Sequence, residues 1–459
     1  MTNNEQSVVL SESKSDVTNQ SLFQLSYPLL LNAAIGMVVT LIDTVIISRY
    51  SEDAAAAVSM ANQILLVAFD FSAIFATGAV VLVSRSLGAN EPDRAKEISE
   101  AATTGNAMIS FVFSAIIFSA AAWLASAINT PREIFADTVT YLRVGAFTIL
   151  LNGVMMAGTS TLRGYGQTRI ILVLGIAAYV TYLLAEVLLI YGWGPIPELG
   201  VFGSALATLL VRAVAVIALT VVLYRRLTIR TWALQFSTAI RHLPGLYQIS
   251  WPAAVDNLAY GFYQMLLVSF IATYSVAMVL ARTFTLSLSA FLTVTLMSIS
   301  QANEVMVGFR FGAGRNADIN RCIAHASLVA TLITTSCAAL LYLFAEPLIG
   351  LFTNDVNIHQ LATQLLWITI FVQPFSAVNT ILFHSLKTTG DVVVPVAVTQ
   401  IMMWGMSVPI AWWLTMSLQL GVVGLWYVLL LEEALKAIFL GVRWCFWPRM
   451  SRETKTPNT

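Results

Sequence analysis

The sequence predicts an all-α polytopic membrane protein with twelve transmembrane helices in two parallel-repeat six-helix bundles. Three observations lead there. Of the 459 residues, 58% are hydrophobic and only 10% are charged, far from a soluble globular composition. The apolar residues gather into twelve segments. Each is long enough to cross about 30 Å of hydrocarbon at about 1.5 Å per residue. The chain also repeats itself, because LFQLSYP at 22–28 returns as LYQISWP at 246–252, an offset of 224 residues.

Residues 1–21 are polar and have no basic start followed by an apolar run. They read as a disordered cytoplasmic tail, not a signal peptide. The apolar segments of the first half fall at 22–48, 59–84, 101–127, 138–160, 170–192 and 201–224. Together, residues 22–224 make an N-terminal six-helix bundle. A polar stretch with Arg225, Arg226, Pro244 and Gly245 makes 225–245 a cytoplasmic linker. The second set falls at 247–273, 283–307, 324–345, 361–386, 393–416 and 420–444, giving a C-terminal bundle over 246–445 and a cytoplasmic tail over 446–459.

The 224-residue offset also pairs Gly88-Ala89 with Gly312-Ala313, Leu162-Arg163 with Leu386-Lys387, and Gly166 with Gly390. Six helices per half is an even number, so both halves enter from the same side and the repeats are parallel. One set of loops carries thirteen Lys and Arg residues, from Arg85 through Lys387, and the alternate set only Arg49, Arg132 and Arg282. The positive-inside rule puts the richer set and both termini in the cytoplasm. The expected location is an inner (cytoplasmic) membrane.

Zero net charge implies no polyanionic partner, so no nucleic acid is expected. There is no GxxxxGK[ST] loop for ATP, no HExxH and no GxSxG. The four histidines lack ligand spacing, and Cys322, Cys337 and Cys445 read as small apolar fillers. Neither an enzyme nor a resident metal or cofactor is indicated.

The informative residues are carboxylates inside apolar segments: Asp43, Asp70, Glu186, Asp256, Glu304, Glu432 and Glu433. Each costs about 2.5–3.5 kcal/mol to place at mid-membrane, so each needs a partner or a cavity. Asp43 lies five residues before Ser48 and Glu186 six before Gly192, at matching depth on two helices that run outward. Tyr182 is one turn from Glu186 on the same face. Adding 224 to 43 gives Leu267, and near 410 the sequence is Ser407-Val408-Pro409-Ile410, so neither acid recurs. Scaffold residues repeat and these do not, which marks the N-terminal half as the titrating one. Two adjacent carboxylates in low dielectric cannot both stay ionised cheaply, a property that suits a proton-coupled carrier. The bland alternative for Glu186 is an ion pair with Arg212 or Arg143. Asp256 fits either a cavity-facing site or a partnered polar residue, and Glu304 either a site or an interfacial carboxylate. Met155, Met265, Met402, Met403 and Tyr260 suit varied amphipathic ligands, with packing as the alternative for each. Pro28 removes one backbone hydrogen bond from the first helix and marks a hinge.

Several stretches together resemble the multidrug and toxic compound extrusion (MATE) family across nearly all of 22–445. They are LIDTVIISRYS at 41–51, TGAVVLVSRSLGAN at 77–90, LRGYGQT at 162–168, EVLLIYGWGPIPELGVFGSALAT at 186–208 and VGFRFGAG at 307–314. The resemblance implies export of organic cations and other amphipaths in exchange for H⁺ or Na⁺, by a monomer in the lipid bilayer. It makes Asp43 the helix-1 acid, Pro28 the bending proline, Glu186 a helix-5 acid and Thr208 a helix-6 threonine beside it. Tyr182 stands where many members carry asparagine. Tyr260 and Ser376 stand where sodium-coupled members carry glutamate and aspartate, which directs the cation site to the N-terminal half. Asp70, Asp256, Tyr260, Met265 and Glu304 remain secondary candidates for cargo or cation. A lipid-linked saccharide flippase of the same superfamily is the alternative function. It would call for a more basic cavity than these acids provide.

Overall fold

The computed structural model describes residues 20–193, 197–231 and 236–453, with side chains described as far as residue 446. Most of the expected N-terminal tail and the last six residues lie outside the described residues. The chain folds as α1 (Leu22–Tyr50), α2 (Glu52–Ser72), α3 (Ile74–Gly88), α4 (Pro92–Ala127), α5 (Arg132–Gly164), α6 (Thr168–Tyr191) and α7 (Gly200–Leu227). It continues through α8 (Phe236–Ala272), α9 (Val276–Gly312), α10 (Asn316–Leu343), the short α11 (Ala345–Gly350), α12 (Val356–Thr389), α13 (Val393–Ile401), α14 (Val408–Trp412) and α15 (Gly421–Glu453). With α2 and α3 counted as one span, α13 and α14 as another, and the short α11 set aside, the described residues give the twelve expected membrane helices. Ten are long and apolar enough to cross a bilayer on length and composition alone. The other two, α8 and α15, carry polar residues at mid-helix, Asp256, Asn257 and Gln264 in one and Glu432, Glu433 and Lys436 in the other.

Contacts divide the chain into two compact units, Met1–Ala254 with Gly312–Gly314 and Val255–Phe311 with Arg315–Thr459. Each buries small residues where helices approach. In the first unit Ala54, Ala61, Ala68 and Ala146 are buried together with Leu65 and Leu142. A Cβ added to Gly145 would come within 2.7 Å of the Leu65 side chain. Close backbone approach of this kind replaces the hydrophobic drive that lipid removes. Large apolar side chains such as Leu41, Phe111 and Trp123 are exposed, as lipid-facing positions should be.

Helix α1 opens on a capping box: Ser21 Oγ accepts from Gln24 N at 3.3 Å, and Ser21 N donates to Gln24 Oε1 at 2.9 Å. It passes through Pro28 without a break.

The second apolar segment departs from a single helix. It breaks at Ala73, and side chains of α4 and α5 take up the freed backbone groups. Phe75 N donates to Asn106 Oδ1 at 3.0 Å, Ser110 Oγ donates to Ser72 O at 3.4 Å, and Asn152 Nδ2 donates to Phe69 O at 3.4 Å. Non-helical backbone at membrane depth survives only with such partners.

Three expectations need correction. The linker 225–245 is helical from Phe236 onward as the start of α8. That turn docks: Ala239 and Leu246 are buried, and His242 Nε2 lies 2.8 Å from Glu97 Oε2. The last helix runs to Glu453, past the expected tail boundary at 446. The segment 393–416 is interrupted by wide π turns at Met402–Ser407 and Trp413–Ser417. Pro409, which has no N–H to give Gly405 and whose ring crowds the preceding turn, lies between them.

Candidate functional site

Helices α1, α2, α5, α6 and α7 of the first unit line an open cavity of about 660 Å³. Its wall carries Asp43, Tyr141, Tyr182, Thr208 and Arg212 among apolar residues that include Leu65, Phe69 and Met155. Each polar group arrives by helical spacing. Gly36, Thr40 and Asp43 share one face of α1, Tyr182 and Glu186 one face of α6, and Thr208 and Arg212 one face of α7. Gly36 lets α1 approach α6, since a Cβ there would sit 2.7 Å from the Tyr179 hydroxyl.

At the centre of the polar group is the Tyr182 hydroxyl. It donates to Asp43 Oδ1 at 2.7 Å and lies 3.2 Å from Glu186 Oε1. Glu186 is fully buried behind it, while Asp43 reaches the cavity. One phenolic hydrogen serves one acceptor at a time. Joining both carboxyls to the hydroxyl therefore takes a second hydrogen, which a carboxylic acid can bring. Thr208 Oγ1 donates to Ser204 O at 3.2 Å, and Thr208 lines the cavity.

Asp43 and Glu186 are thus linked through the Tyr182 hydroxyl, but of the three only Asp43 and Tyr182 line the cavity. The ion-pair alternative for Glu186 does not hold. Arg212 lies with its guanidinium carbon 4.7 Å over the Phe69 ring, and no ion pair to Glu186 from Arg212 or Arg143 occurs among the described residues. Tyr141 and Arg212 are wall residues that sequence reasoning did not place there. Tyr141 is an uncharged residue that nothing in its apolar segment singles out, and Arg212 read as a counter-ion.

The secondary candidates lie elsewhere. Asp70 is exposed at the α2–α3 break and outside the cavity wall, and Met265 is 73% exposed on α8. Asp256 accepts from Gln400 Nε2 at 2.6 Å, so the partnered reading fits it. Tyr260 Oη accepts from Gln264 Nε2 at 2.6 Å. Glu304 is 2% exposed and pairs with Lys387 Nζ at 2.9 Å, so it is held by the protein and away from solvent. A further buried cluster sits on α15 of the second unit. Glu432 takes Lys436 Nζ at 2.5 Å and Tyr263 Oη at 2.6 Å, and Glu433 takes Asn379 Nδ2 at 2.9 Å. No group of three or more His, Cys, Asp or Glu suited to a metal occurs among the described residues.

Twelve membrane helices in two repeats, with a partly polar cavity opening among the helices of one of them, define a membrane transporter. The MatE family model matches residues 28–188 and again 252–413, so the chain belongs to that family. The two matches begin 224 residues apart, the offset of the internal repeat. A relative described as an uncharacterized transporter, YisQ of Bacillus subtilis, is 29% identical over 92% of this chain and 93% of its own. A probable multidrug resistance protein, NorM of Thermotoga maritima, is 24% identical over 93% of each. The crystal structure of the Vibrio cholerae MATE transporter VcmN in the bent form has the same fold. Its TM-score is 0.82 at 19% identity, over 94% of this chain and 97% of that one.

Proposed function

We propose that the protein is a proton-coupled antiporter that exports amphipathic organic cations, drugs or metabolites by alternating access. In this reading it works as a monomer in the cytoplasmic membrane, with both termini in the cytoplasm. The observation that carries the reading is the Tyr182 hydroxyl held between Asp43 and Glu186 at the cavity wall. A proton arriving there neutralises Asp43, weakens the hold on a cationic cargo and favours its release. Antagonism of this kind is what exchange requires, because a ligand shifts a conformational equilibrium only through differential affinity for its states. Pro28 makes α1, which carries Asp43, the element best placed to bend in response. The multidrug-resistance naming of relatives supports the cargo class.

The test is efflux from proteoliposomes with Asp43→Asn, under an imposed pH gradient and separately under a Na⁺ gradient. Wild type should follow the pH gradient and the variant should lose gradient-driven transport. Undiminished transport by the variant would remove Asp43 from the mechanism. Wild-type transport that answers only to Na⁺ would change the ion and leave the site.

A further inference from the structure

We propose that the junction of α7 and α8 is a docking surface for anionic phospholipids of the cytoplasmic leaflet. Arg225, Arg226, Arg230 and Arg241 take the headgroups, and Phe236 and Ile240 anchor in the interface beside them. The leaflet follows from the cytoplasmic placement of the termini, and nothing in the surface depends on antiport.

The chain as a whole is neutral, but its charge is unevenly placed. From Leu199 to Val255 there is no Asp or Glu. Other loops on the same side differ. Arg85, Arg94 and Lys96 share theirs with Glu91, Asp93, Glu97 and Glu100, and Arg310, Arg315 and Arg321 share theirs with Asp318. The positive-inside rule accounts for cations on this side, but not for the lack of acids between them. All four arginines of the junction are exposed, and none forms an ion pair among the described residues.

The fold gathers them. Thr228, at φ +54°, ends α7 just after Arg225 and Arg226. Ile229 is buried, and Arg230 N donates to Glu100 Oε1 at 2.9 Å. One turn back on α4, Glu97 Oε2 lies 2.8 Å from the imidazole of His242, the neighbour of Arg241. The end of α7 and the start of α8 are thus held at one level on α4. Backbone and imidazole make these contacts, so the acids of α4 are engaged while the guanidinium groups stay outside.

Helix α8 has 37 residues, about 55 Å at about 1.5 Å per residue, against about 30 Å of hydrocarbon. Counting about 20 residues back from Ala272 leaves its first turns at the cytoplasmic headgroups. Ala239 and Leu246 are buried there, whereas Phe236, Ile240 and Tyr247 are exposed at helical spacing on another face. Tyr247 stacks on Trp251 with ring centroids 6.5 Å apart, and aromatic residues of this kind settle at membrane interfaces. An apolar face with arginines beside it suits the headgroup boundary, where stems lie along acyl chains and charged ends reach phosphates. The planar guanidinium fork matches a phosphate in bidentate geometry. Charge complementarity therefore selects an anionic lipid as the occupant.

The test is native mass spectrometry of the purified full-length protein in detergent micelles, which reads lipid adducts and oligomeric state together. Phosphatidylglycerol and phosphatidylcholine with the same acyl chains are titrated separately. Wild type should bind phosphatidylglycerol about ten-fold more tightly, and the preference should shrink as salt is raised. Arg225→Gln, Arg226→Gln, Arg230→Gln and Arg241→Gln together should erase it, and the same four positions changed to lysine should keep most of it. Phe236→Ser with Ile240→Ser should weaken both lipids alike. Arg94→Gln, Lys96→Gln, Arg315→Gln and Arg321→Gln together remove four cations from other loops and should leave the preference intact. Equal wild-type affinities, a preference that survives the first four glutamines, or one lost to the same extent with the second four would each overturn the proposal. So would a dimer that Phe236→Ser with Ile240→Ser dissociates, because the exposed face would then belong to a second copy. No gradient and no cargo enter the assay, so a failure of antiport leaves this result standing.

Discussion

The Tyr182 hydroxyl is the residue-scale device on which the two N-terminal carboxyls depend. Replacing it with Tyr182→Phe keeps the ring and removes only the oxygen, so the fold should persist. Asp43 and Glu186 then lose a shared partner in low dielectric. A hydrogen bond to a charged group is worth about 1.5–3 kcal/mol, so pH-gradient-driven transport should fall by about ten-fold or more. Binding of a cationic dye such as rhodamine 6G to the purified protein, read by fluorescence anisotropy, should change much less. Loss of dye binding in step with transport would instead make Tyr182 a cargo contact. Asp43, Glu186 and Tyr182 were legible in the sequence because a charge inside an apolar run is costly and therefore conspicuous. The separation of Arg212 from Glu186 was not. Two opposite charges on neighbouring helices look like a pair until the rotamers are known, and here Phe69 and Tyr182 claim them separately.

At the scale of elements, helix existence follows from apolar length, whereas helix interruption follows from distant partners. Phe-Ser-Ala-Ile at 71–74 is compatible with a continuous helix. What holds the break open is Asn106, Ser110 and Asn152 on other helices, which no local pattern reveals. The π turns are more legible, because Pro409 stands in the middle of their segment. Helix approach is set by glycines, and these allow a paired test. At Gly203 an added Cβ would fall inside contact distance of the Leu189 carbonyl oxygen, a backbone atom. That carbonyl already accepts from Leu199 N at 3.1 Å, which pins the turn between α6 and α7. Gly203→Ala should therefore destabilise the protein by about 1–3 kcal/mol. Gly261 in α8 has nothing within 4 Å of an added Cβ. Gly261→Ala should be neutral or stabilising by about 0.4–1 kcal/mol through the unfolded chain. Thermal unfolding followed by tryptophan fluorescence compares the two, and equal shifts would contradict the packing argument.

At the scale of the whole molecule, two homologous halves have come to treat their buried carboxylates differently. The family model matching twice and the common 224-residue offset establish the shared ancestry. In the first half Asp43 faces a cavity. In the second, both oxygens of Glu432 are taken by the chain itself, one by Lys436 and the other by Tyr263. Glu432 is 1% exposed and Lys436 6%, so the pair is closed to solvent. Coupling should then depend on the first half, with the second ion-paired permanently. Removing one partner strands a buried charge, so Lys436→Met should cost about 3–5 kcal/mol of stability. The double variant Glu432→Gln with Lys436→Met removes both charges and should recover most of that loss. The apparent Tm of the three proteins in one detergent measures this. The double variant should also keep its pH-gradient-driven transport in proteoliposomes, which Asp43→Asn is expected to lose. If instead the double variant is stable but uncoupled, the second half takes part in coupling and the division between the halves is wrong.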